Sequence, residues 1–471
     1  MKYDISSPDS IEKYAQELEG YSLSEKLGNQ LIGERFSSKG KGKLGQLVEE
    51  AYFGYNINSR KEADFKEAEM ELKVVPLKSI KIKKSSSLKR EQQGIAAKER
   101  IVLSLINYME IHKEEWENNS LFEKCKSLLL MFYKSNKDVP VEEQVFELIQ
   151  RWVPSNTDLA IIQKDWELIV DKIKKGKAHE ISEGDTLYLG ACTKGSTREK
   201  SQRQQPFSEE LASQRAFCFK NAYVNAIIEQ LLQQRTYEVN KKQVSIEELY
   251  KTRPFDEVIL EIYNRSIGKT VEEMMEQYSI IRERKAKNFL SLIVNDVAQK
   301  VFRAKLSDLM EFKKANIEIK TILLKPNGMP KESMSFEQID YCEIVSEEWE
   351  ESTIREKFEN KKQLWIVFKA NRNFDKQSEL ELNEINLHKV MFWNMPYEDL
   401  EGSMKRVWQH TVDKIKQGDY ENFIKIADNE IGHIRPKAQN QNDKAKTPQG
   451  TWETKKCFWL NARYIKEQIE K

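Results

Sequence analysis

Three carboxylates and a lysine lie close together in the amino-terminal half of the chain. Glu49 ends Gly45-Gln46-Leu47-Val48-Glu49, and Asp64, Glu71 and Lys73 share Asp64-Phe-Lys-Glu-Ala-Glu-Met-Glu71-Leu-Lys73. Hydrolysis of a phosphodiester needs anionic oxygens to hold a hard divalent cation, and a second cation near the phosphate; these residue types supply both. In a strand, Glu71 and Lys73 share one face while Leu72 enters the core. Glu-x-Lys recurs by chance in a chain that is 32% charged, mostly as solvated neighbours, so its surroundings decide its meaning. Here the pair heads Leu72-Lys73-Val74-Val75-Pro76-Leu77, a β-branched apolar run that reads as a core strand stopped by Pro76. Upstream, Leu44, Leu47, Val48 and Ala51 recur at helical spacing. Glu49 is therefore expected at the edge of an amphipathic helix packed beside that strand.

The elements that position these groups belong to a chain of 471 residues, long enough for two or three domains and, at 39% apolar, able to fill ordinary cores. No run of eighteen apolar residues occurs, and the polar start Met1-Lys-Tyr-Asp-Ile-Ser-Ser is unlike a secretory signal, so a soluble cytoplasmic protein without membrane partners is expected. Cys125, Cys192, Cys218, Cys342 and Cys457 are scattered, which argues against a disulfide framework and a zinc site. Net charge is only +1, yet Lys78 to Arg100 is strongly basic around Ser85-Ser86-Ser87. That segment reads as a loop after the strand, either facing solvent or tracking phosphates.

The chain also repeats itself. Phe65-Lys-Glu-Ala-Glu-Met-Glu71-Leu-Lys73-Val-Val-Pro-Leu77 returns as Phe312-Lys-Lys-Ala-Asn-Ile-Glu318-Ile-Lys320-Thr-Ile-Leu-Leu324, six of thirteen positions being identical. Glu114-Glu-Trp116 before Leu128–Phe132 is echoed by Glu347-Glu-Trp349 before Leu364–Phe368, and Trp166-Glu-Leu-Ile-Val170-Asp-Lys-Ile-Lys by Trp408-Gln-His-Thr-Val412-Asp-Lys-Ile-Lys. Phe219-Lys-Asn221-Ala222 answers to Trp459-Leu-Asn461-Ala462. These pairs keep their order at separations of 233 to 247 residues, which predicts two copies of one domain. The copies span residues 1–232 and 253–471, with 233–252 as linker. They differ where chemistry would matter: Glu49 aligns with Asn295, and Asp64 with Glu311. Divalent-metal sites are sensitive to ligand charge and reach, so the first copy is expected to be catalytic and the second not, with Glu318 and Lys320 left there as a structural ion pair.

Lys41-Gly42-Lys43-Leu44-Gly45-Gln46-Leu47-Val48-Glu49 followed by Asp64, Glu71 and Lys73 resembles the MutH family of GATC-specific endonucleases, and in particular the two-domain restriction enzymes of the Sau type. The likeness runs nearly the full length, through Ser182-Glu-Gly184, Cys192-Thr193-Lys194-Gly195, Gln205-Pro206-Phe207-Ser208 and Gln214-Arg215-Ala216-Phe217 to His433-Ile434-Arg435-Pro436-Lys437 and Phe458-Trp459. It implies an α/β fold of two tandem restriction-endonuclease-like domains, each a mixed β-sheet flanked by helices. It implies Mg²⁺-dependent hydrolysis of double-stranded DNA 5′ of the G in GATC, with Glu49, Asp64, Glu71 and Lys73 as the catalytic set. Asp64 and Glu71, with the Leu72 carbonyl, would hold the metal, and Glu49 would either complete a second metal site or orient the attacking water. Lys41 and Lys194 carry over as DNA-contacting residues, although Cys192-Thr193-Lys194 stands where the mismatch-repair branch has Arg-Pro-Lys. That element survives as Arg435-Pro436-Lys437 in the second copy, where arginine could read guanine. The second copy then reads as an effector domain that binds a further GATC site, in a monomer that dimerises on DNA. Two rival functions remain at this point: a non-catalytic sequence-specific DNA-binding protein, and a strand-nicking repair endonuclease.

Simpler roles are expected elsewhere. His112, His179, His388, His410 and His433 have no ligand spacing. Trp116, Trp166, Trp349 and Trp408 occupy matching places that suit core packing, and Arg355 to Lys362 reads as a solvated helix face.

Overall fold

The computed structural model describes residues 2–28, 43–54, 63–82, 92–136, 138–194, 201–236, 245–249, 253–284, 286, 288–440 and 442–471. Two compact units emerge: Met1–Ile181 with Thr186–Lys241, and Lys242–Lys471 with Ser182–Asp185.

In the first unit, strand β1 (Glu71–Ile82) lies between β2 (Gln92–Ala97) and β4 (Leu128–Lys134), and β5 (Phe146–Trp152) closes the sheet beyond β4. The β1–β4 pairing is parallel and the other two are antiparallel, so the sheet is mixed. A second sheet sets β9 (Arg215–Phe219) between β3 (Ile101–Leu105) and β6 (Leu189–Thr193), all antiparallel. The hairpin of β7 (Gln202–Gln205) and β8 (Ser208–Ser213) is inserted between β6 and β9. Helices Asn156–Lys174 and Asn221–Thr236 flank the sheets. Beneath β1, one apolar cluster gathers Leu44, Leu47 and Val48, then Phe65 and Met70, Leu72 from β1, and Leu129 and Met131 from β4. Removing a side chain such as Leu72 from that cluster would cost about 2–5 kcal/mol, so the strand carrying Glu71 is held rigidly.

The second unit repeats the plan. Strand β10 (Glu318–Leu324) pairs in parallel with β12 (Gln363–Ala370), which pairs antiparallel with β13 (Ile385–Trp393). Its second sheet sets β17 (Lys456–Leu460) between β11 (Met334–Gln338) and β14 (Gly432–Pro436), and the hairpin of β15 (Lys444–Lys446) and β16 (Trp452–Thr454) occupies the place of β7–β8. Matching tryptophan pairs sit in matching cores: Trp116 and Trp166 have ring centroids 5.8 Å apart, Trp349 and Trp408 5.5 Å, and all four are buried.

Several expectations need correction. Pro76 does not stop its strand, because β1 runs on to Ile82. The Pro76 carbonyl accepts from Lys98 N at 2.8 Å, so its ring nitrogen faces the β2 side, where the ladder begins only at Leu77, and no bond to β4 is lost. The basic stretch from Lys78 is not simply a loop: its ends form the β1–β2 hairpin, while 83–91 lie outside the described residues. Parallel register places Leu128 beside Glu71 but Gln363 beside Glu318, so the Leu128–Phe132 echo starts one residue earlier, at Gln363. Residues 233–236, read as the start of a linker, are the last turn of helix Asn221–Thr236. Finally, Arg355, Lys357, Glu359 and Lys362 are buried. Arg355 pairs with Glu359 at 2.7 Å and Glu401 at 3.0 Å, and such pairing compensates the desolvation that charge pattern alone treats as prohibitive.

Candidate active site

A tight reversal brings Asp64 to Glu71. Phe65 and Met70, both fully buried, exchange backbone hydrogen bonds at 2.9 and 3.2 Å across the turn Lys66–Glu69, and Glu69 takes a left-handed φ of 50° to close it. Two further bonds then lock the carboxylates reciprocally: Leu72 N donates to Asp64 Oδ2 at 2.9 Å, and Asp64 N donates to Glu71 Oε2 at 3.3 Å. Lys73 Nζ donates to Glu71 Oε1 at 2.7 Å from the same strand face, as period-two alternation requires.

A residue outside the expected set completes the group. Lys124, on the helix Ser120–Cys125, donates from Nζ to Glu71 Oε1 at 3.1 Å and Oε2 at 3.4 Å. Glu71, only 1% exposed, is thus paired with two lysines, as burial of a carboxylate demands. A sequence signal for Lys124 exists in the repeat: Glu123-Lys124 is matched by Glu356-Lys357 at the separation that relates Trp116 to Trp349. Both helices are capped alike, Asn119 accepting from Phe122 N and Ser352 from Arg355 N.

Glu49 does not sit on a regular helix edge. Helix Lys43–Leu47 widens into a π-helical turn, Val48–Phe53, that ends at left-handed Gly54; such turns re-aim side chains and recur at functional sites. Burial, reinforced by the charge of Asp64 and opposed by Lys73, pushes the Glu49 carboxyl up to about 7. Burial and Glu71 raise Asp64 as well, against the pull of Lys73, the Leu72 amide and Lys124. These mutual influences place Glu49, Asp64, Glu71 and Lys73 in one electrostatic neighbourhood. Among the described residues no group of three or more His, Cys, Asp or Glu side chains is arranged to hold a metal. Asp64 and Glu71, brought together by these bonds, are a smaller pair of oxygen donors, the type that a hard cation keeping several waters would take.

The counterpart in the second unit is built differently. Lys320 Nζ meets Glu318 Oε1 at 2.7 Å, the expected ion pair, and Lys357 Nζ is 3.9 Å from Glu318 and bonded to Glu337. Burial works against ionisation of Glu318, but Lys320 and Lys357 outweigh it and hold its carboxyl low. Burial pulls Lys357 down to about 8. Glu311, in the place of Asp64, turns instead to Ser245 Oγ at 2.7 Å and Ile246 N at 3.1 Å. Asn295 replaces Glu49 on the regular helix Phe289–Phe302 and donates to Ser291 O.

Of the residues read as DNA-contacting, Lys41 lies outside the described residues. Lys194 follows β6, its amide bonded to Gln214 O at 2.7 Å. Arg435 on β14 lays its guanidinium 3.7 Å from the centroid of the Trp459 ring. That stacking fixes the plane while leaving edge donors available, and no described carboxylate pairs with them. Lys437 Nζ donates to Phe336 O. Beside Lys320 opens a cleft of about 410 Å³, bounded in part by Ser291, Thr321, Ser335 and Trp459.

Comparison with known proteins decides what this arrangement belongs to. The family model for the DNA mismatch repair enzyme MutH matches residues 53–165 and again 302–402, one match in each unit. Over 503 aligned residues the chain is 30% identical to the type II restriction enzyme Sau3AI of Staphylococcus aureus, with 98% of each chain covered. The chain belongs to the MutH-related type II restriction enzymes. It is a site-specific deoxyribonuclease with tandem MutH-like domains, which sets aside the non-catalytic reading. MutH proteins of Shewanella amazonensis and Shewanella woodyi are 26% and 23% identical over 40% and 47% of the chain, and those matches cover 79% and 90% of the relatives. A restriction enzyme of this kind thus carries about twice the length of its repair relatives. Among the described residues no helix is long and apolar enough to cross a membrane.

Proposed function

We propose that the protein cleaves both strands of double-stranded DNA at GATC, 5′ of the G, in the cytoplasm, with Mg²⁺ as cofactor and the first unit as the catalytic one. The observation that carries the assignment is the reciprocal Asp64–Glu71 clamp flanked by Lys73 and Lys124; in the second unit Glu311 is drawn away to Ser245. Asp64, Glu71 and the Leu72 carbonyl would hold Mg²⁺, which when bound withdraws charge from a phosphate oxygen and acidifies water. Lys73 faces the phosphate and balances the charge that builds on its oxygens as the attacking oxygen adds. Glu49, on the π-turn and outside the Asp64–Glu71 clamp, orients the attacking water. Match over the whole length to a restriction enzyme, against partial matches to repair enzymes, favours cutting of both strands over nicking.

The second unit is assigned as an effector that binds another GATC site through Arg435, with Lys437 beside it, two molecules associating on DNA. A planar guanidinium held on Trp459 is suited to donate two hydrogen bonds to guanine. Digestion of unmethylated plasmids, followed by mapping of the ends, tests both parts. Cuts in both strands 5′ of G at GATC, abolished by EDTA, are expected, and a plasmid with one GATC should be cut more slowly than one with several. Ends mapping elsewhere, or nicks alone, would overturn the specificity; equal rates on the two plasmids would remove the effector.

A further inference from the structure

The hairpins inserted at equivalent places in the two units have opposite character. In β15–β16, Lys446 lies directly across from Trp452 and Lys444 from Thr454, so these four side chains share one face. The other face carries Ala445, packed against the unit's core. Tyr341 OH donates to Thr454 O at 2.7 Å and Cys342 Sγ to Lys446 O at 3.5 Å, so the hairpin is pinned from behind. On the open face Trp452 is 61% exposed, and Lys444 and Lys446 are exposed as well. Among the described residues no carboxylate pairs with either lysine. The nearby acids are engaged or turned away: Asp443 is bonded to Lys455, and Glu453 lies across from Ala445 on the packed face.

In the first unit the corresponding hairpin also exposes an aromatic ring, Phe207, at 72%, but its second strand carries Glu209 and Glu210. Glu210 meets His179 at 2.8 Å. A bare tryptophan alone would mean little. A tryptophan sharing an open face with two unneutralised lysines, on the one hairpin of the pair whose open face carries no acid, has the charge and shape of a surface that meets a polyanion with an apolar sugar face. The hairpin also springs from the strand edge that bears Arg435, since Lys437 N donates to Lys455 O at 2.9 Å.

We infer that the β15–β16 hairpin is a finger that grips the phosphodeoxyribose backbone of duplex DNA, Lys444 and Lys446 on phosphates and Trp452 against the sugars, next to the bases addressed by Arg435. This deepens, and rests on, the reading of the second unit as a DNA-binding effector. Each lysine that neutralises a phosphate releases counterions and contributes about one unit to the slope of log affinity against log salt.

The test uses the full-length chain carrying Asp64→Asn, so that DNA stays intact, and a duplex with two GATC sites, titrated at several salt concentrations. Lys444→Ala/Lys446→Ala is expected to flatten the salt slope by about two units, and Lys444→Arg/Lys446→Arg to restore it. Trp452→Ala should weaken binding roughly fivefold to tenfold with the slope unchanged. All three positions are at the surface, and circular dichroism matching the parent would show that the fold is kept. Parental affinity and slope in every hairpin variant would overturn the inference. If Arg435→Ala in the same assay weakens binding while the hairpin variants do not, the finger falls and the effector stands. If Arg435→Ala is also silent, both fall. A hairpin that altered sedimentation of the free protein but not its DNA affinity would likewise refute the finger.

Discussion

Asp64→Asn is expected to lower the rate of DNA cleavage on the order of 10³-fold, the scale of loss when one preorganised electrostatic group is taken from a transition state, and to leave DNA binding within a few-fold of the parent. The amide is the informative replacement because its oxygen can still accept the Leu72 N–H that Asp64 Oδ2 accepts at 2.9 Å, so the reversal through Lys66–Glu69 keeps its anchor. What disappears is the negative charge. The effect should therefore appear in the chemical step, measured under single turnover with enzyme in excess, and not in melting temperature. A variant that cuts at the parental rate would remove Asp64 from the proposed metal-holding pair. One that melts early would show instead that its charge serves the fold.

Lys124→Ala is expected to slow cleavage about 10- to 100-fold and, unlike a merely structural lesion, to lower the Mg²⁺ concentration needed for half-maximal rate. Lys124 acts through Glu71, which it meets at 3.1 and 3.4 Å with only 12% of its side chain exposed, and is best described as a positioning residue. Its ammonium both fixes the carboxylate and repels an arriving cation. Two unit charges 4 Å apart still interact by about 4 kcal/mol at the effective dielectric of a protein surface. Taking the lysine away should free Glu71 for metal while losing the orientation and positive potential that the reacting phosphate requires. A raised Mg²⁺ requirement would mean that the site had collapsed, and an unchanged rate would make the Lys124–Glu71 contact incidental. Lys124→Arg, which keeps the charge, should recover part of the rate.

How far such a site could be read from the chain differs from group to group. Glu71 and Lys73 were legible because period-two geometry puts residues i and i+2 on one face whatever the rest of the fold does. The duplication made Asp64 and Glu49 legible by showing where the second copy departs from the first. Lys124 was missed because 53 positions separate it from Glu71, and only the parallel β1–β4 pairing brings its helix to the strand head. The recurring Glu-Lys at Glu356-Lys357 was the available clue. The π-turn under Glu49 was invisible because a six-residue segment is too short for apolar spacing to separate one helical period from another. Arg355 to Lys362 was misread since net polarity says nothing of partners, whereas the Arg355–Glu359 and Arg355–Glu401 pairs make burial tolerable. Pro76 misled for a related reason: a strand breaker in general, it is harmless where its missing donor faces a ladder that has not yet begun.

The central claim is that one half of this tandem chain does the chemistry and its twin does not, and a matched pair of substitutions tests it most directly. Glu71→Gln and Glu318→Gln alter equivalent strand positions by the same single charge. Assayed side by side for single-turnover cutting of a duplex bearing GATC, Glu71→Gln should yield no measurable product, while Glu318→Gln should retain cleavage, slowed at most through the effector. Cutting by Glu71→Gln at the parental rate, or its abolition by Glu318→Gln, would contradict the account.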